Sequence, residues 1–306
     1  MLRIVQPPQK FLLADNGRYP DHQRTPMIEH RALEYFTQHA DQINSDLIYM
    51  PIQWTAYHKA HHYGQYIADL QYYIEGIVEQ NPHLRFFTIV QYADGILAKF
   101  PNCKIFAAGG RWKTGHPPPR WEDVHIEHDI IPIPLLCDSH PISPLQDPKF
   151  KVSFAGSLTH PVRLKMMEEL SGLEGYHISE GLGSLEKFRQ LTNDSTFVLC
   201  PRGYGLTSFR LYELIQMQRI PIYVSDDMFL PFTEEIDWER LAICISPDKM
   251  GNIPQAVDEC ISSGEYLDKI AYGKEVHDRY FTWLGCLKTI ERIVASDYPQ
   301  PVVNEK

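Results

Sequence analysis

Short apolar runs alternate with amphipathic stretches along this chain, and the alternation runs through twice. "LRIVQ", "DLIYMPI", "RFFTIVQ", "KIFAAG" and "DIIPIPLL" read as strands. Between the first three lie "TPMIEHRALEYFTQHADQI", a helix with Pro26 at its start and Ile28, Leu33 and Phe36 on one face, and "YGQYIADLQYYIEGIVEQN", a second helix. Strands separated by helices need crossover connections, so their sheets are largely parallel and covered on both faces. "RWKTGHPPPRWEDVH" at 111–125 is too rich in proline and polar residues for a regular element. "CDSHPISPLQDPKF" at 137–150 reads as a linker. Beyond it the pattern restarts with the strands "KVSFAGS", "GYHIS", "STFVLCP", "IPIYVS" and "LAICIS", interleaved with helices, and helices close the chain. The expected architecture is α/β with two Rossmann-like lobes, 1–148 and 149–306, with the last helix able to cross back to the first lobe. Ligands in such sheets sit outside the carboxyl ends of the strands, which makes each loop after a strand a suspect.

Composition narrows the partners. The formal net charge of −10 over 306 residues argues against a general nucleic-acid binder, since such proteins present basic surfaces. The opening "MLRIVQPPQKFLLADNGRYP" lacks the basic-then-apolar order of a signal peptide, and no apolar run approaches the roughly 18 residues needed to span a bilayer. The six cysteines are scattered without metal-type spacing and read as reduced, mostly buried thiols. A cytoplasmic location is therefore expected.

The most ornate loop after a strand is "CPRGYGLTSFRLYE" at 200–213. A turn needs glycine and proline but has no use for Arg202 and Arg210. A helix N-cap at Thr207 or Ser208, after the flexible Gly203, Tyr204 and Gly205, would aim unpaired amide N–H groups at the crevice, a setting that favours phosphate. Arg202 and Arg210 could then close on a diphosphate from two sides, with the paired bonds that a planar guanidinium delivers. Glu213 lies three residues from Arg210 on the same face. Phosphate repels it, so two vicinal ribose hydroxyls are its natural partners, and the pieces describe a nucleoside diphosphate. Equally open from spacing alone is a surface ion pair of Arg210 with Glu213 beside a plain loop. Neither a Walker loop nor G-x-G-x-x-G is present.

The stretch "FVLCPRGYGLTSFRLYELIQMQRIPIYVSDDMFLPFTEEIDWERLAICIS" resembles the signature region of the exostosin-type glycosyltransferases. That family shows a strand ending in Pro-Arg-Gly, then Ser-Phe-Arg and Glu on a helix, a Leu-Pro-Phe, and an acidic-Trp pair matched here by Asp237 and Trp238. "SDLIYMPI", "LRFFTIVQYADG", "DIIPIPLL" and "KVSFAGSLTHPVRLKM" extend the resemblance upstream. It implies a GT-B fold, with the two lobes facing a central cleft, and transfer of a sugar from a nucleotide donor, a UDP-sugar, with inversion. It puts Arg202, Arg210 and Glu213 in the donor site. Arg163, after "GSLTHP", is a further phosphate candidate, with a solvated helix arginine as the plain alternative. Tyr204 and Asp226 (or Asp227) are placed to meet the donor sugar. Eukaryotic members usually carry an N-terminal membrane anchor, which is not seen in this sequence.

Inverting transfer needs a stabilised diphosphate leaving group, which arginines and a helix N-terminus could supply without a metal. No Asp-x-Asp occurs, so no metal and no other cofactor is expected beyond the nucleotide sugar as co-substrate and a glycan acceptor. Asp94, in the turn after "FFTIVQYA", is the candidate general base, and Asp15, in "LLADNG", the runner-up; each could instead cap its own turn. His58 and His62 in "YHKAHHYG" have helical zinc-ligand spacing but lack the H-E-x-x-H glutamate, so a metal hydrolase ranks last. A catalytically silent scaffold that binds nucleotide or glycan is the alternative to an enzyme.

Overall fold

The computed structural model describes residues 1–12, 27–111, 129–181 and 183–296. The chain divides into two compact units, Met1–Ile131 with Trp283–Lys306, and Pro132–Thr282. The stretch 137–150, expected as a linker, therefore falls inside the second unit.

In the first unit β1 (Arg3–Ile4), β2 (Leu47–Tyr49), β3 (Arg85–Val90), β4 (Cys103–Ala107) and β5 (Asp129–Pro132) form one sheet in simple sequence order. Pairing from β1 through β4 is parallel. The connections carry α1 (Ile28–His39), α2 (Trp54–Ala60) and α3 (Ala68–Gln80). Phe36 of α1 packs its ring 5.1 Å from Tyr49 and 5.3 Å from Phe87, so the apolar face read from the sequence does cover the sheet. The second helix starts later than its apolar pattern suggests. His62 and Tyr63 take left-handed backbone angles (φ 51° and 57°) and Gly64 follows at 84°, which breaks the helical path before Ala68.

The second unit holds β6 (Phe150–Gly156), α4 (Pro161–Leu170), β7 (Tyr176–Glu180), α5 (Leu185–Asn193), β8 (Ser195–Pro201), α6 (Phe209–Gln216), β9 (Ile220–Val224), α7 (Trp238–Leu241), β10 (Ile243–Ile245), α8 (Ile253–Ser263) and α9 (Glu265–Val276). Its sheet runs β10-β9-β8-β6-β7, all parallel. Its strands are near-continuous apolar runs because both faces are covered. Phe154, Phe197, Leu199, Ile222 and Val224 are all buried in one core with Met166, Ile253 and Val257. The long C-terminal stretch is broken by a π-helical turn at His277–Phe281. The last helix, α10 (Trp283–Ser296), belongs to the first unit, where Glu291 accepts a short hydrogen bond from Tyr35 and the Val294 carbonyl accepts one from Ser45 at 2.7 Å. No described helix is long and apolar enough to cross a membrane.

Candidate functional site

The order of the second sheet creates one special place. After β6 the chain goes to β7 on one side, and after β7 it returns to β8 on the other, so the loops leaving β6 and β8 part company. Such a reversal opens a crevice at the carboxyl ends of the two strands. Among the described residues the first sheet has no such reversal. Two helix starts frame the crevice. His160 caps α4 by accepting a bond from the Val162 amide at 3.3 Å, with Pro161 in the first helical position. Ser208 caps α6 by accepting from the Arg210 amide at 3.4 Å, in agreement with one of the two expected positions.

Three arginines meet there. Arg163 bridges the two strand ends, donating from Nη1 to the Ser157 carbonyl (2.8 Å), from Nε to that of Arg202 (3.0 Å) and from Nη2 to that of Pro201 (3.3 Å). Burial, followed by the neighbouring charge of Arg210, pushes its pKa down to about 10. Arg202 is turned into its own loop. It donates to the carbonyls of Gly205 (3.2 Å) and Tyr204 (3.4 Å) and pairs with Asp226 Oδ1 at 2.5 Å. Two residues read separately from the sequence, Arg202 and Asp226, are thus one ion pair across the loops after β8 and β9.

Arg210 is the least satisfied of the three. Its Nη2 donates to the Ala155 carbonyl at 2.6 Å, while its Nη1 is buried without any partner. The guanidinium lies 4.6 Å from the ring centre of Phe154 and 5.7 Å from that of Phe188, and burial lowers its pKa. A Cβ on Gly156 would come within 3.1 Å of Nη2 and 3.0 Å of the Phe154 ring, so the glycine lets the guanidinium cross the strand end. Cys200, close by, is no nucleophile. Burial pushes its thiol up to about 12. Ala155 also lines an open groove of about 560 Å³ with His177, Glu180, Lys187 and Gln190, between β7 and α5.

The loop that carries Gly203, Tyr204 and Gly205 is anchored from behind. The Leu206 carbonyl accepts from the Tyr223 hydroxyl (2.6 Å) and from Ser225 Oγ (3.3 Å), both on or just after β9. Tyr204 itself projects outward with 77% of its surface exposed. A Cβ on Gly203 would lie 3.4 Å from Arg163 Nη2, so this loop and α4 are in close approach. Glu213 is largely buried on α6, and its Oε1 lies 3.4 Å from Nε2 of His140. Phe154, Phe188, Gly156 and His140 were not singled out from sequence. Phe154 and Gly156 do lie in the stretch "KVSFAGSLTHPVRLKM" that extends the resemblance, whereas Phe188 carries no motif and His140 sits in what reads as a linker.

In the first unit Asp94 is exposed in the turn after β3. Asp15 lies outside the described residues. His58 and His62 do not form a helical pair, because α2 ends at Ala60 and His62 sits in the left-handed turn against Tyr66. His58 is fully buried beside Tyr92, and burial holds its pKa down to about 3. A carboxylate that sequence reading missed, Glu29, is buried at the carboxyl end of this sheet. Its Oε1 accepts from the Thr55 hydroxyl (2.6 Å), the Thr55 amide (3.2 Å) and the Gln91 amide (3.1 Å), and burial raises its pKa. Among the described residues no group of three or more His, Cys, Asp or Glu side chains is arranged to hold a metal ion.

A switch-point crevice, a capped helix and buried cations together make a candidate anion site at the carboxyl ends of β6 and β8. The sequence matches the exostosin GT47 domain over residues 20–260, and the chain belongs to the exostosin-type glycosyltransferase family. It is 33% identical over 107 residues to Exostosin-1b of Danio rerio, covering 35% of this chain and 14% of that protein. It is 39% identical over 69 residues to the Exostosin-1 homolog of Caenorhabditis elegans, covering 22% of this chain and 18% of that one. These matches span less than a fifth of the relatives' own lengths. Among solved structures, a glycosyltransferase from Rickettsia africae overlaps 90% of this chain and 82% of its own, with a TM-score of 0.41 and 10% identity.

Proposed function

We propose that the chain is an inverting, metal-independent glycosyltransferase. It moves a sugar from a nucleoside diphosphate sugar, with a UDP-sugar the donor its family favours, to a hydroxyl of a glycan acceptor. The observation that carries this reading is Arg210. A guanidinium walled by two phenylalanines, holding one carbonyl and with Glu213 as a neighbouring charge, still leaves Nη1 buried without a hydrogen-bond partner and so has a donor to spare for an anion. A diphosphate oxygen in the switch-point crevice would supply that anion, with the first turn of α6 donating alongside.

Chemistry follows from the same arrangement. As the acceptor oxygen bonds to the anomeric carbon from one face, the bond from that carbon to the diphosphate oxygen breaks on the other. The negative charge that collects on the leaving diphosphate meets Arg210, the spare donors of Arg163 and the α6 amides, all already in place. Such fixed donors do the work that a divalent cation does elsewhere. The acceptor proton passes to a carboxylate, and Asp94 is the proposed base. Glu213 takes the ribose hydroxyls. Asp226 and Tyr204 stand on the two loops that would frame the donor sugar.

The test is a transfer assay with a panel of UDP-sugars and short glycan acceptors in the presence of a chelator, read by the anomeric proton signals of the product. Transfer with the anomeric configuration opposite to that of the donor is expected. Retention of configuration, or activity that returns only with added divalent metal, would contradict the mechanism. Nucleotide binding with no transfer to any acceptor would favour a silent scaffold.

A further inference from the structure

We infer that His140 is a positioning residue for the donor site, holding the Glu213 carboxylate in the orientation that ribose hydroxyls require. The inference rests on the proposed role of Glu213 and deepens it. His140 lies in the proline-rich stretch after β5, and its side chain is 1% exposed. Arg189 Nε of α5 approaches its Nδ1 at 3.3 Å. An arginine nitrogen can only donate, so Nδ1 is the acceptor. The neutral imidazole therefore carries its proton on Nε2, which has no hydrogen-bond partner and lies 3.4 Å from Glu213 Oε1. The imidazole is fixed from the other sides as well. Its own amide donates to Gln216 Oε1 on α6 at 2.6 Å, Arg189 Nη2 donates to the Ser139 carbonyl at 3.4 Å, and the Phe188 ring meets it edge-on at 5.8 Å.

Phe188 is also the ring beside Arg210, so the wall of the phosphate cation and the mount of the ribose carboxylate share one side chain. The direction of the proton matters. With Arg189 pointing an N–H at Nδ1, the ring turns its Nε2–H toward Glu213. A glutamate with this N–H beside its Oε1 is held toward one orientation of its acceptor lone pairs instead of sampling several rotamers. That gain should show in contacts to the ribose and not in those to the phosphates.

Calorimetric titration of the full chain with UDP and with 2′-deoxy-UDP tests this. The wild type is expected to prefer UDP by about tenfold, the worth of one hydrogen bond to a charged group. In His140→Ala the preference should fall to about twofold while affinity for 2′-deoxy-UDP stays within twofold of wild type. His140→Gln, whose amide can donate to Glu213, should restore most of the preference, and Glu213→Gln should lose it. If His140→Ala keeps the full preference, or weakens both ligands equally while His140→Gln does the same, the inference is overturned and His140 is a packing residue. If the wild type binds UDP but does not prefer it to 2′-deoxy-UDP, the ribose role of Glu213 falls and the inference with it. If the wild type binds neither ligand, the reading of the crevice as a nucleotide site has failed first.

Discussion

Arg210 sets up an opposition between stability and function at a single side chain. A cation held among apolar rings by one carbonyl contributes little to folding, and replacing such a group by an apolar one of similar length is often neutral or favourable. Arg210→Met is therefore expected to leave the unfolding midpoint unchanged or raise it, by up to about 1–2 kcal/mol, while lowering UDP affinity at least tenfold. Urea unfolding and calorimetry on the same preparation check both halves. A variant that loses stability and binding together would mark Arg210 as structural. Gly156→Ala should act in the other direction, forcing the guanidinium and the Phe154 ring apart at a destabilisation of about 1–3 kcal/mol. Arg210 and Ser208 were legible in the sequence because a charged residue at a capped helix start has a local chemical meaning. Their walls were not. Phe154 precedes the helix by more than fifty residues, and an alternating strand pattern says that such a side chain is buried without saying against what.

Elements add a layer of constraint that spacing cannot convey. The loop after β8 is fixed by β9, through Tyr223 and Ser225 on the Leu206 carbonyl, and by the Arg202 pair with Asp226. Tyr223→Phe removes a buried hydroxyl that holds this loop and should cost about 0.5–1.5 kcal/mol, with a weaker response to UDP measured by hydrogen exchange of residues 202–207. Strands, helix caps and the order of elements followed from the apolar alternation, because each is a local pattern. The acidic-Trp pair of the resemblance acquires a structural explanation: Asp237 caps α7 by accepting from the Arg240 amide at 3.0 Å, and Trp238 donates to the Pro231 carbonyl at 2.9 Å. The helix at 63–81 was misplaced at its start because its apolar spacing continues through residues whose backbone is left-handed. The stretch 137–150 was misread for a related reason. Proline density signals an irregular path, and an irregular path can still be packed, as His140 is between α5 and α6.

At the scale of the whole molecule each unit has its own buried core, and acid should act on the first through His58. Its folded pKa is depressed to about 3 against an ordinary value near 6.5. The unfolded chain therefore takes up a proton first as pH falls, so the stability that the neutral ring provides is whole above about pH 6.5 and is lost on the way down toward pH 3. The loss approaches about 1.4 kcal/mol per pH unit within that window. His58→Phe should flatten the pH dependence of unfolding between those limits; an unchanged slope would show that other groups carry it. Removing residues 283–306 should destabilise the first unit, which loses the hydrogen bonds of Glu291 and Val294, and leave the UDP response of the second.

The central claim is that the crevice between β6 and β8 holds a nucleoside diphosphate on Arg210, and thermal unfolding in the presence of chelator tests it most directly. UDP at about 100 times its dissociation constant should stabilise the protein by about 2.7 kcal/mol, with that gain absent in Arg210→Met. No shift with UDP or any other nucleoside diphosphate, or a shift that survives the substitution, would contradict it.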